Sequence, residues 1–387
     1  VCTDPLVPAC QLEIKSLENQ NYSKYLKCLN FESGEATIAW KNLKGIFQQS
    51  MFISRPAKLA LIKIKSTTGA KLNFKFHLSH LPYPEMKNDE GEEFNVHELI
   101  SDLKIKIAGN KIIYVTRFKK KWPKSLKGYN VTVQLYPEGG QIKTENNWLK
   151  ITNATEIVIA ANIQLFYEDQ FPSDPLKLPE KINYDKLLAE HSRIHGEMFN
   201  RFQLDLGGNK SHMSSEQLLA QSSHNNLKNE LVEKLCQAAR YLLISSTGEL
   251  PPTLQGIWGG TWLPAWSSDF TLNGNVPSAI ACGLNGNFEE VIKAYLNYMF
   301  SMFQDFQDNA RDLYGVDGIF VPSRTSTSGK TYHYLKEYPH LFWFAGAAWT
   351  AEFFYDYWLF SGDVKFLKEK TIPFMKAAYE FLSLIHI

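Results

Sequence analysis

Residues 250–275 read LPPTLQGIWGGTWLPAWSSDFTLNGN, and the rest of the chain is read outward from them. Trp258, Trp262 and Trp266 stand four apart among prolines and glycines that break any helical or strand period. A loop of this length is usually functional or disordered, and a composition this aromatic is not that of a disordered segment. It closes on Asp269, Asn273 and Asn275, whose side chains can orient water or hydroxyl groups. Indole faces for pyranose rings, with amides and a carboxylate at the edges, are what a carbohydrate site requires. A tryptophan-rich plug between helix ends is the equally weighted structural reading.

The totals bound the alternatives. The 387 residues are 44% hydrophobic, 13% aromatic and 21% charged, a globular composition sufficient for two or three domains. A formal net charge of +1 predicts neither a nucleic-acid footprint nor an anionic-membrane surface. The run Lys119, Lys120, Lys121 and Lys124 reads as a solvated strand end. Cys2, Cys10, Cys28, Cys236 and Cys282 show no zinc-ligand spacing, so no metal and no cofactor is expected. Cys2 and Cys10 are close enough in sequence for a short disulfide loop. Sequons occur at Asn21, Asn130, Asn153 and Asn209.

Residues 1–167 predict an antiparallel β-sandwich. Leu72, Phe74, Phe76 and Leu78 alternate with Lys71, Asn73, Lys75 and His77, a period of two with one wet face. Residues 103–115 predict a hairpin about Gly109-Asn110. Further strands are expected at 36–40, 45–54, 59–66, 129–136 and 156–166, and a polar surface loop at 82–91. The segment 168–212 reads as a proline-bearing linker followed by a helix over 185–202. His191 and His195 lie one turn apart on that helix. With no acidic third ligand at a recognisable spacing, they read as capping or partly exposed histidines.

Residues 213–387 predict helices to the end. The expected spans are 218–243 as one helix or two abutting, 288–308, 341–360 and 363–382. The third, LFWFAGAAWTAEFFYDYWLF, is apolar almost all round and predicts burial on every side, with Trp349 in the core. A transmembrane span is disfavoured by Glu352 and Asp356 near its middle. Alternating buried and half-buried helices joined by long loops predict a toroid of helical hairpins.

On particular residues the chain resembles glycoside hydrolase family 95, the α-L-fucosidase family with its α-L-galactosidase-like relatives, as a distant member. The residues that carry the resemblance begin with LAEH (188–191), FNR (199–201) and LDL (204–206). They continue with ARYLLI (239–244), LQGIW (254–258) and PAWSSDFTLNGN (264–275). Weaker echoes are YL (25–26), LNF (29–31), FISRP (52–56), AAW (347–349) and FSGD (360–363). The resemblance implies a β-sandwich (a supersandwich), a helical linker and an (α/α)6 six-hairpin barrel. It also implies inverting exo-hydrolysis that releases an α-linked L-fucose-like sugar, fucose or L-galactose, from glycan side chains.

By position in the family motif, Asn273 and Asn275 hold the attacking water, polarised by a distant aspartate, while a glutamic acid protonates the leaving oxygen. Trp258, Trp262 and Trp266 are the candidate sugar platforms, and Arg324 a candidate grip on hydroxyls. Asp269 is better read as holding the loop than as touching substrate. The expected partner is an oligosaccharide or polysaccharide, and the expected location extracellular or periplasmic.

Two departures stand out. VPSAI (276–280) and FVPSRTS (320–326) replace the stretches usual in the family, which opens the choice of sugar. The chain begins at Val1 and ends SLIHI (383–387), without a signal peptide. Those ends predict a fragment, and the resemblance implies that it lacks the C-terminal half of the barrel with the general acid and is therefore inactive. The alternatives are a catalytically inactive carbohydrate-binding relative and a glycoside phosphorylase, which needs a phosphate pocket that no cluster of basic and hydroxyl residues clearly supplies, Arg324 to Lys330 being the stretch to watch.

Overall fold

The computed structural model describes residues 6–18, 21–81, 86–87, 93–94, 99–119, 125–168, 177–208, 213–223, 226–262, 264–331 and 342–385. Contacts divide the chain into two compact units. One comprises Val7–Glu197 with Gly260–Leu263, the other Val1–Leu6, Met198–Gly259 and Pro264–Ile387.

The first unit is a sandwich of two antiparallel sheets. Its strands are β1 (Gln11–Ser16), β2 (Ser23–Leu29), β3 (Ala36–Lys41), β4 (Ile46–Ser54), β5 (Leu59–Ser66) and β6 (Leu72–Ser79). There follow a two-residue pair, β7 (Met86–Lys87) and β8 (Glu93–Phe94), then β9 (Ile100–Ala108) and β10 (Lys111–Phe118). The last are β11 (Gly128–Glu138), β12 (Gln141–Glu145), β13 (Trp148–Ala154) and β14 (Glu156–Phe166). The smaller sheet runs β1-β6-β13-β12 and the larger β2-β3-β4-β5-β14-β11-β10-β9.

Between the sheets lie Phe74, Phe76, Leu78, Leu149 and Ile151 from the smaller, and Phe47, Ile64, Ile112, Val131, Val133, Leu135, Ile157 and Ile159 from the larger. Each such side chain contributes about 1.5–3 kcal/mol on burial. The period-two reading of β6 holds: Leu72, Phe74, Phe76 and Leu78 face this core. The hairpin at Gly109, whose φ is +61°, joins β9 and β10 as expected.

β1, β2, β12 and β13 were not expected. The turn between the last two rests on Asn146 and Asn147, both at positive φ. Of the sequons, Asn130 is buried in β11 with its Oδ1 accepting from Arg117, and Asn209 lies outside the described residues. Cys10, Cys28, Cys236 and Cys282 carry free thiols, and burial pushes that of Cys10 up to about 12. Cys2, most of the 82–91 loop and Lys120, Lys121 and Lys124 fall outside the described residues.

The second unit is helical. Helix α1 (Tyr184–Asn200) leads into it, followed by α2 (Ser215–Gln221), α3 (Asn229–Ser246), α4 (Asn275–Ile280), α5 (Glu289–Ser301), α6 (Phe303–Tyr314) and α7 (Gly346–Ser361). The series ends with α8 (Val364–Phe366), a π turn (Leu367–Thr371) and α9 (Ile372–Ile385). Arg240 of α3 ties three elements together. Its guanidinium donates to the carbonyls of Met198 and Phe199 at the end of α1, and to that of Gly286 at 2.6 Å.

Three helix expectations need correction. The 218–243 span is α2 and α3 with residues 222–228 between them: the backbone is extended at Ser222 (φ −99°, ψ 139°), which ends one helix, and at Lys228 (φ −77°, ψ 137°), which precedes the next. The 288–308 span breaks at Met302, whose φ and ψ of −102° and 10° leave the helical region. Helix α7 is not buried on every side. Ala347, Thr350, Ala351, Phe354 and Tyr357 are buried, whereas Trp349 is 47% exposed and Leu359 and Phe360 are exposed as well. The π turn before α9 also has a physical reason: Pro373 has no N–H, and Ile372 N–H bonds five residues back to Leu367 O. Among the described residues no helix is long and apolar enough to cross a membrane.

The face of the larger sheet opposite the core packs Phe52, Leu59, Leu61, Val158 and Ala160 under Leu178 and Tyr184. His191 and His195 fasten α1 there, and the packing demands that His191 be neutral. Its Nδ1 accepts the Arg55 N–H at 3.3 Å, and its ring lies 5.3 Å from those of Phe52 and His195. His195 Nε2–H donates to Phe31 O at 2.9 Å. Gly34, at φ +69°, lets the chain pass: a Cβ there would stand 3.0 Å from His191 Nε2. Burial, then His195 and Arg55, hold the His191 imidazole down to about 4, against an ordinary 6.5.

Between pH 6.5 and about 4 the unfolded chain binds a proton that folded His191 refuses. Stability is therefore full above this window and falls as pH drops through it. Denaturant unfolding at pH 7.5 and 5 should show a loss of about 1 kcal/mol after allowance for screening. His191→Asn, whose amide oxygen can still accept from Arg55, should flatten that dependence. A slope as steep as the parent's would mean that another group titrates.

Candidate functional site

The 250–275 loop has little regular structure, so side chains and tight turns fix its path. Thr253 and Gly256 exchange backbone hydrogen bonds at 3.1 and 3.0 Å, and Thr253 Oγ1 donates to Gly256 O at 2.8 Å. Gly256 is at φ +68°, and a Cβ there would lie 2.5 Å from the Trp258 ring. Glycine therefore serves twice, in the turn and as the floor beneath the indole. Trp258 itself is 51% exposed.

Trp262 takes a different course. It is 5% exposed and packs with Ile100, Val7, Leu81, Leu103 and Phe118 of the sandwich unit, its indole N–H donating to Leu81 O at 3.2 Å. This is a core position, where the ring offers no face to a sugar. The even spacing of the three tryptophans gave no hint that the middle one turns the other way.

A single 3-10 turn (Ala265–Ser268) then presents Trp266, 67% exposed. Trp266, Ser267 and Ser268 all sit at positive φ, at 50°, 58° and 48°. Each such non-glycine residue costs about 1–2 kcal/mol, so the turn needs outside support. Asp269 supplies it. Fully buried, it accepts from Arg324 Nε at 2.7 Å on one oxygen and from Thr271 Oγ1 at 2.8 Å on the other. Arg324 also donates to the Trp266 carbonyl.

The support continues below. β15 (Phe270–Thr271) pairs with β16 (Arg324–Thr325). Phe270 packs on Tyr298 at 4.3 Å, and the Tyr298 hydroxyl lies 2.9 Å from both Thr325 Oγ1 and Ser326 O. Burial drives the Tyr298 phenol well above its ordinary range, so it stays a neutral donor. Leu272 N–H bonds to Ser323 O at 2.7 Å. Asn273 and Asn275 follow directly; both are exposed, and among the described residues neither amide has a hydrogen-bond partner.

Arg324 is thus brought beneath the Trp266 turn rather than left free in solvent. The neighbouring cation Lys330 is likewise engaged, with Asp308 at 2.6 Å. That contact, then Arg311 and Gln304, holds the Asp308 carboxyl well below its usual range. Helix α6 staples the same loop. Buried Asp305 accepts from Gly329 N–H at 2.9 Å, and Asn309 donates to Gly329 O at 2.8 Å. Spacing did not single out Asp305 or Asn309. An edge-to-face pair, Trp343 with Trp349 at 5.7 Å, was also missed, because Trp349 reads as core on an all-apolar helix.

A two-sheet sandwich followed by helical hairpins, with aromatic rings and unbonded amides on one ordered loop, defines a class of two-domain carbohydrate-active protein. Residues 183–386 match the catalytic domain of glycosyl hydrolase family 95, and the chain belongs to that family. Residues 4–170 match the N-terminal domain of glycosyl hydrolase family 65. The fold is accordingly an antiparallel β-sandwich, a helical linker and helices of an incomplete (α/α)6 six-hairpin barrel.

Among relatives, alpha-L-fucosidase 2 of Arabidopsis thaliana is 24% identical over 93% of this chain and 45% of its own length. "Probable alpha-fucosidase A" of Aspergillus niger is 29% identical over 52% of this chain and 26% of its own length. A candidate kojibiose phosphorylase from the human microbiome superposes with a TM-score of 0.64 over 97% of this chain and 49% of its own, at 13% identity, a likeness of fold. The chain thus spans about half the length, or less, of the relatives it matches.

Removing one partner of a buried ion pair strands the other. Asp269→Ala should cost about 3–5 kcal/mol of stability in urea unfolding followed by tryptophan emission. Asp269→Ala with Arg324→Met should recover part of that loss. A cost below about 1 kcal/mol for the single variant would show that the pair is not a buried support.

Proposed function

We propose that the chain contributes the water-side half of an inverting glycosidase site. The proposed substrate is an α-linked L-fucose-like sugar, fucose or L-galactose, at the end of a glycan side chain. The observation that carries this reading is the state of Asn273 and Asn275. Their amides are exposed and unbonded, yet they directly follow a segment fixed by buried hydrogen bonds and an ion pair. An amide so placed can hold a water with little further ordering. Inversion needs room for that water on the face opposite the leaving group. Trp258 and Trp266 are the platforms that remain once Trp262 is assigned to the core. Family membership and the fucosidase relatives support a carbohydrate substrate.

The phosphorylase alternative draws no support from the cations of the 324–330 stretch. Arg324 is held by Asp269, and Lys330 by Asp308. The binding-only alternative differs in one outcome: it predicts saturable sugar binding without turnover.

The test separates binding from chemistry. Titration with L-fucose and L-galactose should quench tryptophan emission, and Trp258→Ala or Trp266→Ala should weaken binding about fivefold or more, the scale of one lost aromatic contact. Asn273→Ala should leave binding within twofold. Where an α-L-fucoside is turned over, Asn273→Ala should lower kcat about 100-fold, with the β-anomer as first product by proton NMR. An α-anomer formed first would overturn the inverting assignment. Binding unaffected by both tryptophan variants would overturn the platforms.

A further inference from the structure

The outer face of the smaller sheet carries a feature visible only in the strand register. Lys15 pairs with Lys75, Lys75 with Lys150, and Lys150 with Lys143. In the order β1-β6-β13-β12 these are consecutive strands, so four lysines cross the whole sheet in one row. At about 4.8 Å between strands the row is about 14 Å long. The adjoining row reads Glu13, His77, Trp148 and Glu145, with the His77 and Trp148 rings 5.0 Å apart.

Charge along this row is not balanced. Glu13 pairs with Lys15 at 2.6 Å and Glu145 with Lys150 at 3.1 Å. Among the described residues Lys75 and Lys143 have no carboxylate partner, and nearby Glu18 is committed to Lys44 and Asn73. Trp148 sits under the ammonium groups of Lys15 and Lys75, at 4.8 and 4.7 Å. Like charges directly opposite one another weaken a sheet. Lysine on an edge strand guards against stray pairing, which accounts for Lys15 and Lys143. It does not account for Lys75 and Lys150, which lie on the two central strands.

We propose that this face binds an acidic polysaccharide, an extended chain bearing a carboxylate on successive rings, laid along the lysine row across the strands. The row supplies cations at strand intervals, and the adjoining row keeps its carboxylates at the two ends, with His77 and Trp148 between them. The site belongs to the sandwich unit alone and stands whether or not the 250–275 loop hydrolyses a fucoside.

The test is binding of the whole chain to polygalacturonate and to its fully methyl-esterified form, by calorimetry at low and moderate salt. The acid polymer should bind at least tenfold more tightly than the ester, and less tightly as salt rises. K75Q/K143Q should lose at least fivefold, whereas K106Q/K376Q, which removes two exposed lysines elsewhere, should stay within twofold. Equal losses in the two double variants, or equal binding of the ester, would overturn the proposal. Equally tight binding of a single-stranded DNA of matching charge would overturn its assignment to a saccharide.

Discussion

The buried ion pair of Asp269 with Arg324 is the constraint on which the candidate site depends. Three successive residues at positive φ would not persist in an unsupported loop, since their combined cost is a large part of a domain's net stability. One carboxylate and one guanidinium, both withdrawn from water, fix the carbonyl of Trp266 and the strand pair below it. Because Asp269 also accepts from Thr271, neither of its oxygens is left unsatisfied, which is the condition for a buried charge to be tolerated. The loop gains rigidity from side chains where its backbone, broken by prolines and glycines, has no ladder to give it. Exposed rings and free amides on a rigid base are a different physical object from the same groups on a mobile loop, since little ordering remains when a ligand arrives.

Much of the sandwich was legible because alternation is a local signal. The residues of β6 declare their buried and wet faces in eight positions, and Gly109-Asn110 marks its own hairpin. Strand β2 is exposed along its whole length and carries no alternation to read. Helix limits were less legible. An amphipathic pattern runs through the break at Met302 without a change of phase, and the gap between α2 and α3 rests on extended backbone at Ser222 and Lys228. The side on which α7 is buried could not be read at all, since aromatic residues surround it and only packing distinguishes Phe354 from Phe360.

Register is the level of organisation that one strand cannot reveal. Lys15, Lys75, Lys143 and Lys150 are scattered over more than a third of the chain and look like ordinary solvated positions. They become a row only when antiparallel pairing sets them side by side. Trp262 is the same lesson in reverse. Its neighbours Trp258 and Trp266 share its spacing and its sequence context, but its partners, Leu81 and Ile100, lie far away in the chain. Sequence gave the residue types of the site. Only packing separates the indoles that face outward from the one that does not.

The departures from the family pattern gain meaning from burial. Val276, Pro277 and Ile280 are buried, as are Phe320, Val321, Pro322 and Ser323. Neither stretch carries a histidine, and in the first only Ser278 and Ala279 are exposed, so on the proposed reading they supply no imidazole to a sugar hydroxyl, and Arg324 is already committed to Asp269. Recognition is then left to indole faces and asparagine amides. Indoles sense the shape and apolar face of a ring, and amides accept or donate without demanding one partner. Such a set should distinguish ring configuration more sharply than the presence of a single exocyclic hydroxyl. L-fucose and L-galactose differ in that hydroxyl alone, so on the proposed reading such a set would not choose between the two.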